Sequence, residues 1–165
     1  MIKSLLKLID KKMIVLLIVA LIISPTLGGK NTYTICLIYS HYLTMYLNNI
    51  YLLMIYQYTQ RINTISSLIM IRISEKTFYL LTYFIFLMIG SIYTLVIYIS
   101  YYFFFGAIPQ DTFSLTIIFM IINFIVMGIE SHIIYFQIGS KKNFVYLILP
   151  ILINIVFHLT FINIF

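Results

Sequence analysis

The chain has 165 residues, of which 63% are hydrophobic and only 8% charged, and its formal net charge is +6. Soluble domains carry about 25% charged residues, so this composition excludes a water-covered globule and makes the lipid bilayer the expected solvent. The positive balance does not point to nucleic acid, because the basic residues are spread along the chain at the ends of apolar blocks, where topology signals sit. The single cysteine, Cys36, excludes an intrachain disulfide and a thiolate metal site.

The chain opens on a basic head with Lys3, Lys7, Lys11 and Lys12, followed by the apolar run Met13 to Ile23. That pair has the form of a secretory signal peptide. Ser24, Pro25 and Thr26 make a poor cleavage site, which favours an uncleaved first helix over about 6–27. Pro25 and the Gly28-Gly29 pair are expected to end it. The second apolar block covers 34–58 and carries Asn48 and Asn49 near its centre. Two amides at that depth are costly against lipid, so at least one should face another helix. Tyr33, Tyr39 and Tyr42 crowd one end of the block and Tyr56 and Tyr58 the other, the aromatic-belt pattern of a spanning helix.

The interval 60–77 is charged at Arg61, Arg72, Glu75 and Lys76 yet greasy from Leu68 to Ile71. Such a segment suits the membrane–water boundary or a groove on a partner. Its period is ambiguous: Ile62, Ile65 and Ile69 fit a helical face, whereas Ile69, Ile71 and Ile73 fit strand alternation. An unpaired strand would leave backbone groups unsatisfied at the membrane surface, so a short interfacial helix is expected. The third block, 78–105, is longer than a bilayer requires, and Gly90 and Thr94 form a small-x-x-x-small pair that permits close helix contact. Gly106, Pro109 and Asp111 mark a turn. The fourth block, 113–136, ends beside Glu130, Ser131 and His132, and a link carrying Lys141 and Lys142 leads to the fifth, 144–165. Within that last block Pro150, Asn154 and His158 fall four apart, on one helical face.

The expected architecture is therefore an all-α, polytopic transmembrane helix bundle of about five spanning helices forming one domain over 1–165. With the N-terminus inside and the C-terminus outside, Lys3, Lys7, Lys11, Lys12, Arg61, Arg72, Lys76, Lys141 and Lys142 all fall on the inner side, and only Lys30 on the outer.

Chemistry-bearing motifs are missing. Gly29-Lys30 and Gly139-Ser140-Lys141 lack the partner glycine of a phosphate loop, and there is no H-E-x-x-H or G-x-S-x-G. His41, His132 and His158 do not assemble along the chain, and Glu130 and His132, two apart, point away from each other on a helix. No catalytic residue, cofactor or metal is predicted. Asn48, Asn49, Glu130, Asn154 and His158 are the intramembrane polar residues, for packing or for a pathway. Glu130 is expected to pair with Arg72, Lys76 or Lys141 across the cytoplasmic face, with proton relay as the alternative.

Two stretches carry a resemblance. Ile71-Arg72-Ile73-Ser74-Glu75-Lys76-Thr77-Phe78-Tyr79-Leu80, leading into the third helix, and the later turn Ile138-Gly139-Ser140-Lys141-Lys142 are similar to segments of ABC-2-type transporter permeases, especially the small membrane subunits for bacteriocin export and lantibiotic immunity in low-GC Gram-positive bacteria. That family usually has six helices with both ends inside, against five here. The resemblance implies that 60–77 is a coupling helix docking on a separate cytoplasmic ATPase, with Arg61, Arg72, Glu75 and Lys76 as contact residues. It also implies a second membrane subunit, identical or different, and a bacterial cytoplasmic membrane. The alternatives are a non-transporting accessory or immunity protein that packs on a larger membrane complex, and an intramembrane enzyme built on Glu130 or His158.

Overall fold

The computed structural model describes residues 5–35 and 46–164. Among them are five α-helices and no strand: α1 Lys11–Ile35, α2 Asn48–Met70, α3 Glu75–Phe105, α4 Phe113–Tyr135 and α5 Val145–Ile164. The expectations attached to Cys36, His41 and the first part of the second apolar block lie outside the described residues.

α2 is the central element and touches all four other helices. Its buried residues Tyr51, Ile55, Tyr58 and Ile62 recur at helical spacing, and Leu52 and Thr59 widen that stripe. Phe78, Ile85 and Ile97 of α3 and Met127 and Ile134 of α4 complete the core around it. The outside of the bundle is apolar too. Val15, Ile18 and Ile22 on α1, Leu80, Phe84, Ile92, Leu95 and Ile99 on α3, Ile118, Ile121, Ile125 and Ile129 on α4, and Ile148, Leu152 and Val156 on α5 all face outward. Monomeric soluble proteins rarely present apolar surface that continuous. α3 and α4 are long and apolar enough to cross a membrane. At 1.5 Å per residue they measure about 46 and 34 Å, against an apolar bilayer core of roughly 30 Å.

Local chemistry sets the ends of α3. Ser74 is extended and its hydroxyl accepts a hydrogen bond from the Thr77 backbone N–H at 3.2 Å, while Glu75 sits in the first turn against the positive end of the helix dipole. This cap starts the helix three residues before the apolar block at Phe78. At the other end Gly106 has φ +81° and ψ −158°, a backbone conformation open to glycine, and its N–H bonds the Tyr102 carbonyl.

Two expectations about the early helices need correcting. α1 does not stop at Pro25 or at Gly28-Gly29; it runs on to Ile35. A proline within a helix deprives the carbonyl four residues earlier of its donor. Here that carbonyl belongs to Leu21, and the Ser100 hydroxyl of α3 donates to it at 3.0 Å. The neighbouring helix supplies the missing bond, so the turn survives. The second correction concerns 60–77, which is not a separate interfacial helix. α2 continues through Gln60 and Arg61 to Met70 without a break, residues 71–74 make a tight turn, and α3 begins at Glu75. From Asn48 to Met70 there is no glycine or proline to interrupt the hydrogen-bond ladder. The polar residues there change what the helix faces and leave its backbone intact.

Candidate functional site

Two features stand out from the apolar scaffold: a seam of buried polar side chains through the middle of the bundle, and a helical hairpin that extends past one end.

The seam is built mainly on α4. Thr116, Asn123, Glu130 and Gln137 recur at intervals of seven and all four are buried. Two helical turns nearly superimpose such residues, so Thr116, Asn123 and Glu130 form one column on α4, while Gln137 lies in the turn just beyond its end. α2 contributes Asn48 and Tyr51, and α3 contributes Tyr93. The Tyr93 hydroxyl donates to Asn48 Oδ1 at 2.7 Å, and Asn48 Nδ2 donates to Asn123 Oδ1 at 3.3 Å. The Tyr51 and Tyr93 rings stack with centroids 4.2 Å apart, and the Tyr51 and Ser131 hydroxyls share a hydrogen bond of 3.2 Å. Gly90 makes room for this arrangement: a methyl group at its Cα would come within 3.3 Å of the Tyr51 hydroxyl. On the other side of α2, Asn154 of α5 donates to Asn49 at 3.0 Å. His158 and Pro150 are buried on the same face of α5 as Asn154.

Glu130 lies in this seam and is 0% exposed. Neither of its carboxyl oxygens has a hydrogen-bond partner among the described residues. The expected ion pairs with Arg72, Lys76 or Lys141 are not formed. The carboxyl points into the bundle from a position more than a turn inside the end of α4, whereas those cations are exposed beyond that end. His132 is turned away from Glu130 and packs edge-on against Tyr83 of α3, with centroids 4.9 Å apart.

The end of the bundle where α1 starts, α2 and α4 finish, and α3 and α5 begin holds Lys7, Lys11, Lys12, Arg61, Arg72, Lys76, Lys141 and Lys142. A clamp fixes the heights of the elements there. The Asn63 side chain of α2 donates to the Gln137 carbonyl and accepts from the Gly139 N–H, both at 3.0 Å. Gln137 is itself saturated: its amide nitrogen donates to Ser140 Oγ at 3.1 Å and to the Lys141 carbonyl at 2.7 Å, and its amide oxygen accepts from Asn143 N–H at 3.2 Å. Gly139 has φ +82° and lies directly against the Tyr79 hydroxyl of α3. The Tyr135 hydroxyl of α4 donates to the Tyr79 carbonyl at 3.0 Å.

Beyond this clamp the α2–α3 hairpin continues. Met70 is seven residues past Asn63, about 10 Å further along the axis. Its tip presents Leu68 and Ile71, which is 81% exposed, together with the exposed Arg72, Glu75 and Lys76. None of those three charged side chains forms an ion pair among the described residues. Arg61 behaves differently. It pairs with Asp10 and donates to the Leu8 carbonyl at 3.0 Å, which ties the N-terminal segment to α2. Of the four anticipated contact residues, three share the tip, and Arg61 is engaged within the chain about two and a half turns before the end of α2.

Sequence reasoning passed over Tyr51, Tyr93, Asn123 and Ser131 in the seam and Asn63 and Gln137 in the clamp. The heptad spacing of Thr116, Asn123, Glu130 and Gln137 in an otherwise apolar stretch is the one signal that would have found part of this set. No family model, curated protein or solved structure matches the chain.

Proposed function

We propose that this chain is a multi-pass, permease-type subunit of an ABC exporter in a bacterial cytoplasmic membrane, with its basic end inside and a separate ATPase supplying the energy. The observation that carries the reading is the projecting α2–α3 tip. It joins an exposed apolar knob, Leu68 and Ile71, to two unpaired cations, Arg72 and Lys76, about 10 Å past the α4–α5 turn. Apolar anchors flanked by charge are what a cytoplasmic partner's groove takes hold of. The tip belongs to the central helix, so a push on it reaches every other helix. A peptide or bacteriocin is the cargo class that goes with the resemblance, as export or as immunity.

The test is co-purification in mild detergent. The wild-type chain brings down an ATPase, and the variant with Arg72→Glu and Lys76→Glu loses it while keeping its own helicity and yield. Equal recovery of the ATPase with the variant removes the reading. One observation favours the accessory-subunit alternative. An open apolar groove of about 300 Å3 runs between α1 and the start of α2, lined by Leu16, Val19, Ala20 and Ile23. Another of about 250 Å3 lies between α3 and α4 at Leu95, Met120, Ile121 and Phe124. Side chains of a neighbouring membrane helix fill concavities of this kind. If bulky residues at Ala20 and Leu95 abolish a membrane partnership while the tip variant changes nothing, the chain is an assembly subunit.

A further inference from the structure

Among the described residues, Glu130 is a buried acid that the packing leaves unpartnered. The carboxyl is wholly enclosed, on a helix apolar enough to cross a membrane, and both oxygens lack a partner among the described residues. An ionised carboxylate there would be an uncompensated charge in a medium that solvates it poorly, the most costly arrangement a core can hold. A neutral carboxylic acid meets no such penalty. The described basic side chains stand at the end of the bundle and do not reach it.

The groups around Glu130 argue against a metal cation as its neutralising partner. The side-chain oxygens of Asn48 and Asn123, which such an ion would need, already accept hydrogen bonds from Tyr93 and Asn48. Hard cations require several oxygens converging on one point. The titratable groups in the same seam are Tyr51 from α2 and Tyr93 from α3. α5, also packed on α4, buries His158, and His132 on α4 itself is turned to Tyr83.

Beside Ser131 and His132 a cavity of about 20 Å3 is bordered by Tyr83, Gly90 and Tyr135. Its lining is almost wholly apolar and does not include Glu130, so the closed packing keeps the carboxyl apart from water. Ser131, next to Glu130 in sequence, shares its hydroxyl with Tyr51.

We propose that Glu130 is a proton-exchange site, loaded with one proton in the closed packing seen here and emptied when water reaches it between α4 and its neighbours α2 and α3. On unloading, the carboxyl O–H bond breaks, the proton passes to that water as hydronium and the carboxylate remains. Reclosure requires the reverse transfer. No electron changes hands. The helix packing is thereby linked to pH. The inference does not rest on the exporter reading and holds equally for a chain that moves no cargo.

The experiment uses the full chain in phosphatidylcholine–phosphatidylglycerol nanodiscs, with no ATPase present. Infrared difference spectra at neutral pH are expected to show a protonated-carboxyl band that shifts in heavy water, remains in Glu130→Asp and is missing from Glu130→Gln. Thermal stability of the wild type falls as pH is raised from mildly acidic to mildly alkaline, and Glu130→Gln loses that slope. Identical spectra for wild type and Glu130→Gln overturn the proposal. So does loss of the band on adding sodium chloride, but not choline chloride, at fixed pH, which makes the site a metal-cation site.

Discussion

Gln137 and Glu130 are seven residues apart, one in the turn after α4 and the other within the helix, and both are completely buried. Every polar atom of the Gln137 side chain is used: two donated bonds and one accepted bond hold the α4–α5 turn in shape. The Glu130 carboxyl oxygens have no partner among the described residues. Two similar side chains in equal seclusion thus do opposite things. A saturated buried group fixes a conformation, because removing it strands its partners. An unsaturated one adds little to the closed state and retains its capacity to react.

Substitutions can break or sharpen that contrast. The largest effect is expected from Gln137→Leu. It takes one of two bonds from the Ser140 hydroxyl, which keeps the Gln137 carbonyl, and removes the partners of the Lys141 carbonyl and the Asn143 N–H, at about 1 kcal/mol for each bond lost. A total loss of about 3 kcal/mol should appear as a lower unfolding temperature in mild detergent. An unchanged temperature would mean that the turn does not depend on Gln137. Gly139→Ala comes next, at about 2 kcal/mol, since it combines a left-handed backbone with a collision against the Tyr79 hydroxyl. Adding Tyr79→Phe should recover the collision and leave roughly 1 kcal/mol for the backbone alone. No recovery in the double variant would show that Tyr79 moves aside freely. The smallest effect, and of the other sign, belongs to Glu130→Leu. Replacing an unpaired buried carboxyl by an apolar group of similar volume should leave stability unchanged or raise it by about 1 kcal/mol. Destabilisation as large as that of Gln137→Leu would place both residues in one structural class.

The sequence made some of this legible and hid the rest for physical reasons. Hydrophobic runs bounded by turn residues located α4 and α5, because Gly106, Pro109 and the polar link at 139–143 are local signals. The shared face of Pro150, Asn154 and His158 follows from helical period alone. The extent of α1 was illegible, since it depends on Ser100, 75 residues beyond Pro25. The unbroken run of α2 was obscured by reading charge as a boundary, although Arg61 merely finds Asp10 and the Leu8 carbonyl beside the helix. The clamp could not be foreseen either. Asn63 meets Gln137 and Gly139 across more than seventy residues, and no spacing rule connects them.

The Ser100 hydroxyl has one more effect. Bound to the Leu21 carbonyl that Pro25 leaves vacant, it makes the register of α1 on α3 discrete. Sliding α1 along its neighbour by even one residue withdraws the donor from that oxygen, and no nearby backbone N–H replaces it. Together with the hydrogen bond between the Ser24 and Tyr101 hydroxyls at 3.1 Å, the Ser100 hydroxyl indexes two otherwise greasy rods that would glide past each other.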